Sequence, residues 1–151
     1  MGEITLESSA FTSEGEIPKK YGYKYDNLSP PLKIGSVPSD SKSLALVMDD
    51  PDAMGAVGKV WVHWVMWNID PTITDISEGS SPSGSIEGKT DFGEIKYGGP
   101  APPDKRHTYV FKLYALKTKL DLPEGSTKAE LEQAISSQII SQISLKGTFE
   151  P

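Results

Sequence analysis

Leu44-Ala45-Leu46-Val47-Met48-Asp49-Asp50-Pro51-Asp52, followed by Val60-Trp61-Val62-His63-Trp64-Val65-Met66-Trp67-Asn68, are the two runs on which the reading of the fold turns. A short glycine-containing loop, Ala53 to Lys59, joins them. Both runs are aliphatic, β-branched or aromatic and of strand length, which predicts two buried strands. The first ends in three acids, which are costly beside a core unless something satisfies them. Pro51 fixes its own φ and disfavours helix at Asp50, so the acids are expected on a stiff extended turn. Alternation in the second run predicts Trp61, His63, Val65 and Trp67 on one face and Val62, Trp64 and Met66 on the other. The imidazole of His63 is then the single polar group on its face, at the edge of a pocket.

The wider composition sets bounds. A chain of 151 residues fits one domain, residues 1–151, with a real core. Hydrophobic content of 36% and charged content of 24% are those of a soluble globular protein, expected in the cytoplasm. The absence of cysteine excludes disulfides, thiolate metal sites and a cysteine nucleophile. A net charge of −6 argues against general nucleic-acid binding. Met1 to Gly15 has neither the basic nor the apolar region of a signal peptide, and Leu6 stands where myristoylation at Gly2 wants Ser or Thr. No segment reads as a membrane span.

Along the chain, Ile4 to Ser8 is a candidate first edge strand and Leu32 to Ile34 a candidate short strand. The segment from Gly15 to Pro31, ending in consecutive prolines, is a stiff connector. Glu78 to Ser85 reads as a long surface loop, and Gly98-Gly99-Pro100-Ala101-Pro102-Pro103 as a rigid, donor-poor one. A strong strand, Val110 to Leu116, follows, and Ser144 to Phe149 is a last short one. One helix has a clear signature. Thr127-Lys128-Ala129-Glu130 is a capping box, and Leu131, Ala134, Ile135 and Ile139 form an apolar stripe. Many strands, proline-glycine loops and one late helix predict a mainly β sandwich with a peripheral helix.

The two histidines, His63 and His107, each adjoin a rigid proline loop. If their strands neighbour one another, both imidazoles and Asp50 converge at one end of the sandwich. The bland alternative for each is a hydrogen-bonded core residue. Three chemistries compete for the constellation. Asp50, Asp52, His63 and His107 have the ligand types of a zinc or manganese hydrolase, but no compact ligand motif is present. A serine hydrolase would need a Gly-x-Ser-x-Gly elbow, and none occurs. In an anion pocket, the two imidazoles, the Tyr109 hydroxyl and loop amides would donate to phosphate oxygens while Asp50 accepts. Lys105 and Arg106, next to His107, are candidates to steer anions inward. Asp49 reads as a strand-end acid, and Trp64 and Trp67 as core.

Asn27 to Leu32, Asp50-Pro51-Asp52-Ala53, His63-Trp64-Val65 with Asn68, Asp91-Phe92-Gly93, Tyr97 to Pro100 with Pro102-Pro103, His107-Thr108-Tyr109 and Ala115-Leu116 occur in this order. In these segments the chain resembles the phosphatidylethanolamine-binding protein family, also called Raf kinase inhibitor-like, in its compact bacterial and archaeal form. The resemblance implies a Greek-key β-sandwich of two sheets with a small anion pocket near the surface. Carried over by position, that pocket is lined by Asp50, Trp61, His63, Gly99, Pro100, His107 and Tyr109, with Asp52 bracing the turn. It implies a binding and regulatory protein, not an enzyme, with no cofactor and no metal. The ligand would be a phosphorylated headgroup or side chain, and the partner a kinase or serine protease. The alternative role is that of a serine-protease inhibitor acting through an exposed loop. The oligomeric state, a homodimer included, is left open. One departure is Met54, where the family signature has proline, which predicts a looser loop at Met54 to Val57.

Overall fold

The computed structural model of the protein describes residues 3–151; Met1 and Gly2, with the myristoylation question, lie outside them. Among the described residues, eight strands form two antiparallel sheets. β1 (Thr5–Glu7), β2 (Leu32–Gly35) and β5 (Asp75–Ile76) make the small one, in the order β1-β2-β5. The large one has the order β6-β4-β3-β7-β8, from β3 (Ser43–Asp50), β4 (Trp61–Ile69), β6 (Ile86–Glu87), β7 (His107–Leu116) and β8 (Ile139–Phe149). Among the described residues the α-helices are α1 (Ala53–Val57) and α2 (Lys128–Ile135), with a 3-10 turn at Lys19–Tyr21. After β4 the chain makes a long excursion and returns on the far side of β3, the non-local order of a Greek key.

β3 is buried at all eight positions because both faces of its sheet are covered. Leu44, Leu46 and Met48 pack with Trp64, Met66, Phe111 and Leu113 against Leu6, Leu32 and Ile34 of the small sheet. Ala45 and Val47 pack with Val65, Trp67 and Leu116 against Leu131 and Ile135 of α2. A strand covered on both sides reads as an unbroken apolar run, as Leu44 to Met48 does.

Strict alternation fails in β4. Asp49 pairs with Val62 but Met48 pairs with Trp64, so His63 is an extra residue, a β-bulge. Trp61 and His63 therefore share the inter-sheet side with Trp64 and Met66, while Val65 and Trp67 face α2. This corrects the expected grouping of Trp61 and His63 with Val65 and Trp67. Other boundaries also move. Asp49 and Asp50 belong to the strand itself, and the expected loose loop at Met54 is the helical turn α1, closed by Gly58 at φ 82°. β8 begins at Ile139, which the apolar stripe had assigned to the helix.

The expected capping box is present: the Thr127 hydroxyl accepts from the Glu130 amide, and the Glu130 carboxylate accepts from the Thr127 amide. Thr127→Ala should lower stability by about 1 kcal/mol in urea unfolding, as caps usually do. An unchanged midpoint would mean that packing of Leu131 and Ile135 alone holds α2.

Candidate functional site

β4 and β7 are not neighbours; each pairs with β3 from opposite sides. The result still brings the expected side chains together. Asp50 ends β3, Trp61 and His63 open β4, and His107 and Tyr109 open β7, all at one end of the sheet around a cleft of about 240 Å³. That is smaller than the roughly 300–1,000 Å³ of pockets for drug-sized ligands. Its remaining walls are apolar: Ala53, Ala56 and Val57 from α1, Phe92, Ala101 and Pro103. Gly99 and Pro100 do not line it. Gly99 packs so tightly on the backbone from Tyr21 to Tyr23 that a Cβ would collide with the Tyr21 carbonyl, and the Pro100 carbonyl accepts from the Tyr23 amide. They shape the cleft from behind by fixing where Ala101 begins.

Each polar group is held by a specific local contact. Asp50 Oδ1 accepts from the Asp52 amide at 2.9 Å, an Asx turn made stiff by Pro51. Asp52 Oδ2 in turn accepts from the Thr108 amide at 2.8 Å, which ties the turn to β7 next to His107. The bulge leaves the Val62 amide to donate to Asp91 Oδ2 at 2.7 Å. Asp91 also pairs with Lys59 at 2.7 Å, and Phe92 beside it meets His63 and Trp61 edge-on while stacking on Tyr23. The segment Asp91-Phe92 is thus a clamp and a wall, a role that its sequence alone did not signal.

The two histidines are in different chemical states. His63 Nδ1 lies 2.7 Å from the Gly98 carbonyl, which can only accept, so Nδ1 carries the proton. Burial pushes the pKa of His63 down to about 4, with the Gly98 carbonyl opposing the shift. The ring is therefore neutral at pH 7 and its Nε2 is an acceptor. His107 is wholly buried, and both of its nitrogens meet carboxylates: Nδ1 on Asp50 at 2.6 Å and Nε2 on Asp104 at 2.7 Å. Burial pulls its pKa down, but the two acids outweigh that and raise it. Burial raises the pKa of Asp50, with His107 working against the rise. The Tyr109 hydroxyl is buried and makes no hydrogen bond of good geometry, although the Asp50 carboxylate and the Ala101 backbone lie beside it; burial first, and then Asp50, raise its pKa, so it keeps its proton. Two imidazoles donating side by side to one anion is thus not the arrangement here. His63 offers a lone pair, Tyr109 a free donor, and His107 two donors already engaged.

Other expected residues lie elsewhere. Asp49 points to the α2 side, where Lys112 and Lys128 meet its Oδ2 at 3.1 and 2.7 Å. Arg106 pairs with Glu150 and reaches the Thr148 hydroxyl, away from the cleft. Among the described residues, no group of three or more His, Asp or Glu side chains is arranged to hold a metal ion, and no helix is long and apolar enough to cross a membrane.

The chain is thus a two-sheet β-sandwich with a small, polar-floored and apolar-walled cleft at one end of its large sheet. The model of the phosphatidylethanolamine-binding protein family matches residues 7–150, and the chain belongs to that family. A relative from Methanothermobacter thermautotrophicus is 42% identical over 151 residues, spanning 97% of this chain and 98% of its own. The crystal structure of a phosphatidylethanolamine-binding protein homologue from Chlamydia trachomatis is similar with a TM-score of 0.93 and 37% identity, covering 100% of this chain and 99% of that one. A carboxypeptidase Y inhibitor solved with its cognate proteinase has a TM-score of 0.60 at 20% identity, covering 99% of this chain and 83% of that one, a likeness of fold alone.

The state of His63 has a measurable consequence. Unfolded, its imidazole titrates near ~6.5; folded, it titrates at about 4. Between these values the unfolded chain binds a proton that the folded one refuses, so stability is full above the upper value and lost as pH falls through the lower. The loss is on the order of 3 kcal/mol. His63→Asn keeps an N–H for the Gly98 carbonyl but does not titrate. Its melting temperature should fall less than that of the wild type between pH 7 and pH 4. Parallel curves would place the acid sensitivity in another group.

Proposed function

We propose that the cleft binds a small phosphate-type anion, and that the protein acts by binding and regulation rather than by catalysis. The observation that carries this reading is the Tyr109 hydroxyl. A buried donor without a well-formed hydrogen bond costs roughly 1–3 kcal/mol, and it is tolerated here at the floor of a cleft, beside Asp50 and His107. A phosphate oxygen supplies the missing acceptor. A protonated phosphate oxygen also satisfies the other groups: it donates to His63 Nε2 or to Asp50, which would otherwise repel a dianion. The apolar walls from α1, Phe92 and Pro103 suit the carbon substituent of a phosphomonoester, whether a headgroup or a side chain. A protease-inhibitor role is the second reading, favoured by the exposure of the Ser80–Ser83 loop and by the fold shared with the carboxypeptidase Y inhibitor.

Calorimetric titration tests the reading. Inorganic phosphate and O-phosphoethanolamine should bind, and Tyr109→Phe should weaken both by roughly 10-fold, the usual size for a hydrogen bond to a charged group. The same variant should be at least as stable as the wild type, because it removes an unpaired buried hydroxyl. Affinity should fall as pH rises from about 5.5 to about 8, since the second phosphate proton leaves near ~6. Loss of the His107 proton acts in the same direction, whereas His63 is neutral throughout. Sulfate, which has no proton to give in this range, should bind more weakly than phosphate at pH 5.5. Affinity that rises with pH would overturn the protonated-ligand model. If protease inhibition is found and Tyr109→Phe leaves it intact, the inhibitory element lies outside the cleft.

A further inference from the structure

We propose that Asp104 is a built-in competitor for the cleft: its carboxylate holds the His107 N–H that an incoming phosphate-type anion takes, so the ligand binds by displacing an acid of the protein's own chain. The inference rests on the anion-pocket reading and adds a self-ligand to it.

The two acids on His107 are held very differently. Asp50 is buried, sits inside the sheet and is fixed a second time by the Asp52 amide. Asp104 has a side chain 45% exposed, on the loop between Pro103 and β7, and among the described residues its only ion pair is with His107. Its release costs the hydrogen bond to His107 and loosens its contact with the Lys105 amide, and it returns a carboxylate to water, where carboxylates are well solvated. The release also frees the second N–H of His107, a ring that lines the cleft next to Tyr109. A tetrahedral anion then takes from His107 what Asp104 gave up, with Tyr109 as a second donor.

The charges facing His107 make this exchange consequential. From β3 and its turn come Asp50 and Asp52, from β4 neutral His63, from β7 neutral Tyr109, and from the loop Asp104 with Lys105 and Arg106 beyond it. With Asp104 in place, three carboxylates face His107, and a further anion meets net repulsion. With Asp104 swung out, the balance improves by one charge. The contact therefore sets a floor on affinity, because apparent binding is scaled by the fraction of molecules in which His107 Nε2 is free. Anions that bind feebly do not pass it at ordinary concentrations.

Calorimetric titration of wild type, Asp104→Asn and Asp104→Ala with inorganic phosphate at pH 6.5 tests the inference, with Tyr109→Phe as the weak-binding control and melting temperature as the check on folding. Both Asp104 variants should bind roughly 3- to 10-fold more tightly than wild type, the range expected for removing one partly exposed competing charge. Nitrogen-detected NMR supplies an independent readout: saturating phosphate should shift His107 Nε2 in the wild type and leave Nδ1, held by Asp50, nearly unmoved. Phosphate binding that is unchanged or weaker in both variants overturns the competitor and leaves the cleft reading standing. No binding by wild type or either variant at millimolar phosphate overturns the cleft reading, and the competitor with it.

Discussion

Two adjacent carboxylates at the end of a strand buried on both faces form the constraint on which this structure depends. Asp49 and Asp50 point to opposite sides of the sheet, and each must be satisfied where it points. On the outer side, Lys112 of β7 and Lys128 of α2 meet Asp49, which anchors the start of the helix against the sheet. On the inner side, His107 and the Asp52 amide meet Asp50, which fixes the geometry of the cleft. The helix and the cleft are therefore built on consecutive residues of one strand. Both are held by charge pairs that lose a partner at high cost when either member is removed.

The positioning of the histidines follows from that strand. β3 supplies the common neighbour, and β4 and β7 approach it from either side. His63 reaches the inter-sheet side only because a bulge adds one residue to β4, and the backbone groups that the bulge releases are taken up by Asp91, whose carboxylate accepts from the Val62 amide, and by the Gly98 amide, which donates to the His63 carbonyl. A regular strand would have turned either His63 or Trp64 toward α2. The extra residue lets a polar ring and a core tryptophan occupy the same face in succession.

Much of this was legible in the sequence, for identifiable reasons. The buried strand pair, the late helix and its cap all carry local signals: apolar runs of strand length, and Thr127 three residues before Glu130. The Asp50, Trp61, His63, His107 and Tyr109 set came from residue type and from the family resemblance together. What stayed hidden depends on non-local pairing. The bulge at His63 is decided by register against β3, and no side-chain alternation can report it. The two-residue strands β5 and β6 exist only through their partners. The engagement of His107 by Asp104 needs the curl of a proline-rich loop, and the tautomer of His63 is set by a carbonyl 35 residues away. Gly99 and Pro100 were legible as important to the pocket, but their packing against Tyr21 to Tyr23 was not.

The polar floor and the apolar walls of the cleft have different mechanical origins. Asp50, His63, His107 and Tyr109 stand on the three central strands of the large sheet. Ala53, Ala56 and Val57 stand on a five-residue helix, and Phe92, Ala101 and Pro103 on loops. Substitutions in the α1 wall can widen, narrow or re-shape the entrance while the strands hold the donors and acceptors of the floor. The scaffold thus separates the polar chemistry of the floor from the shape of the entrance, and these two properties are free to drift independently.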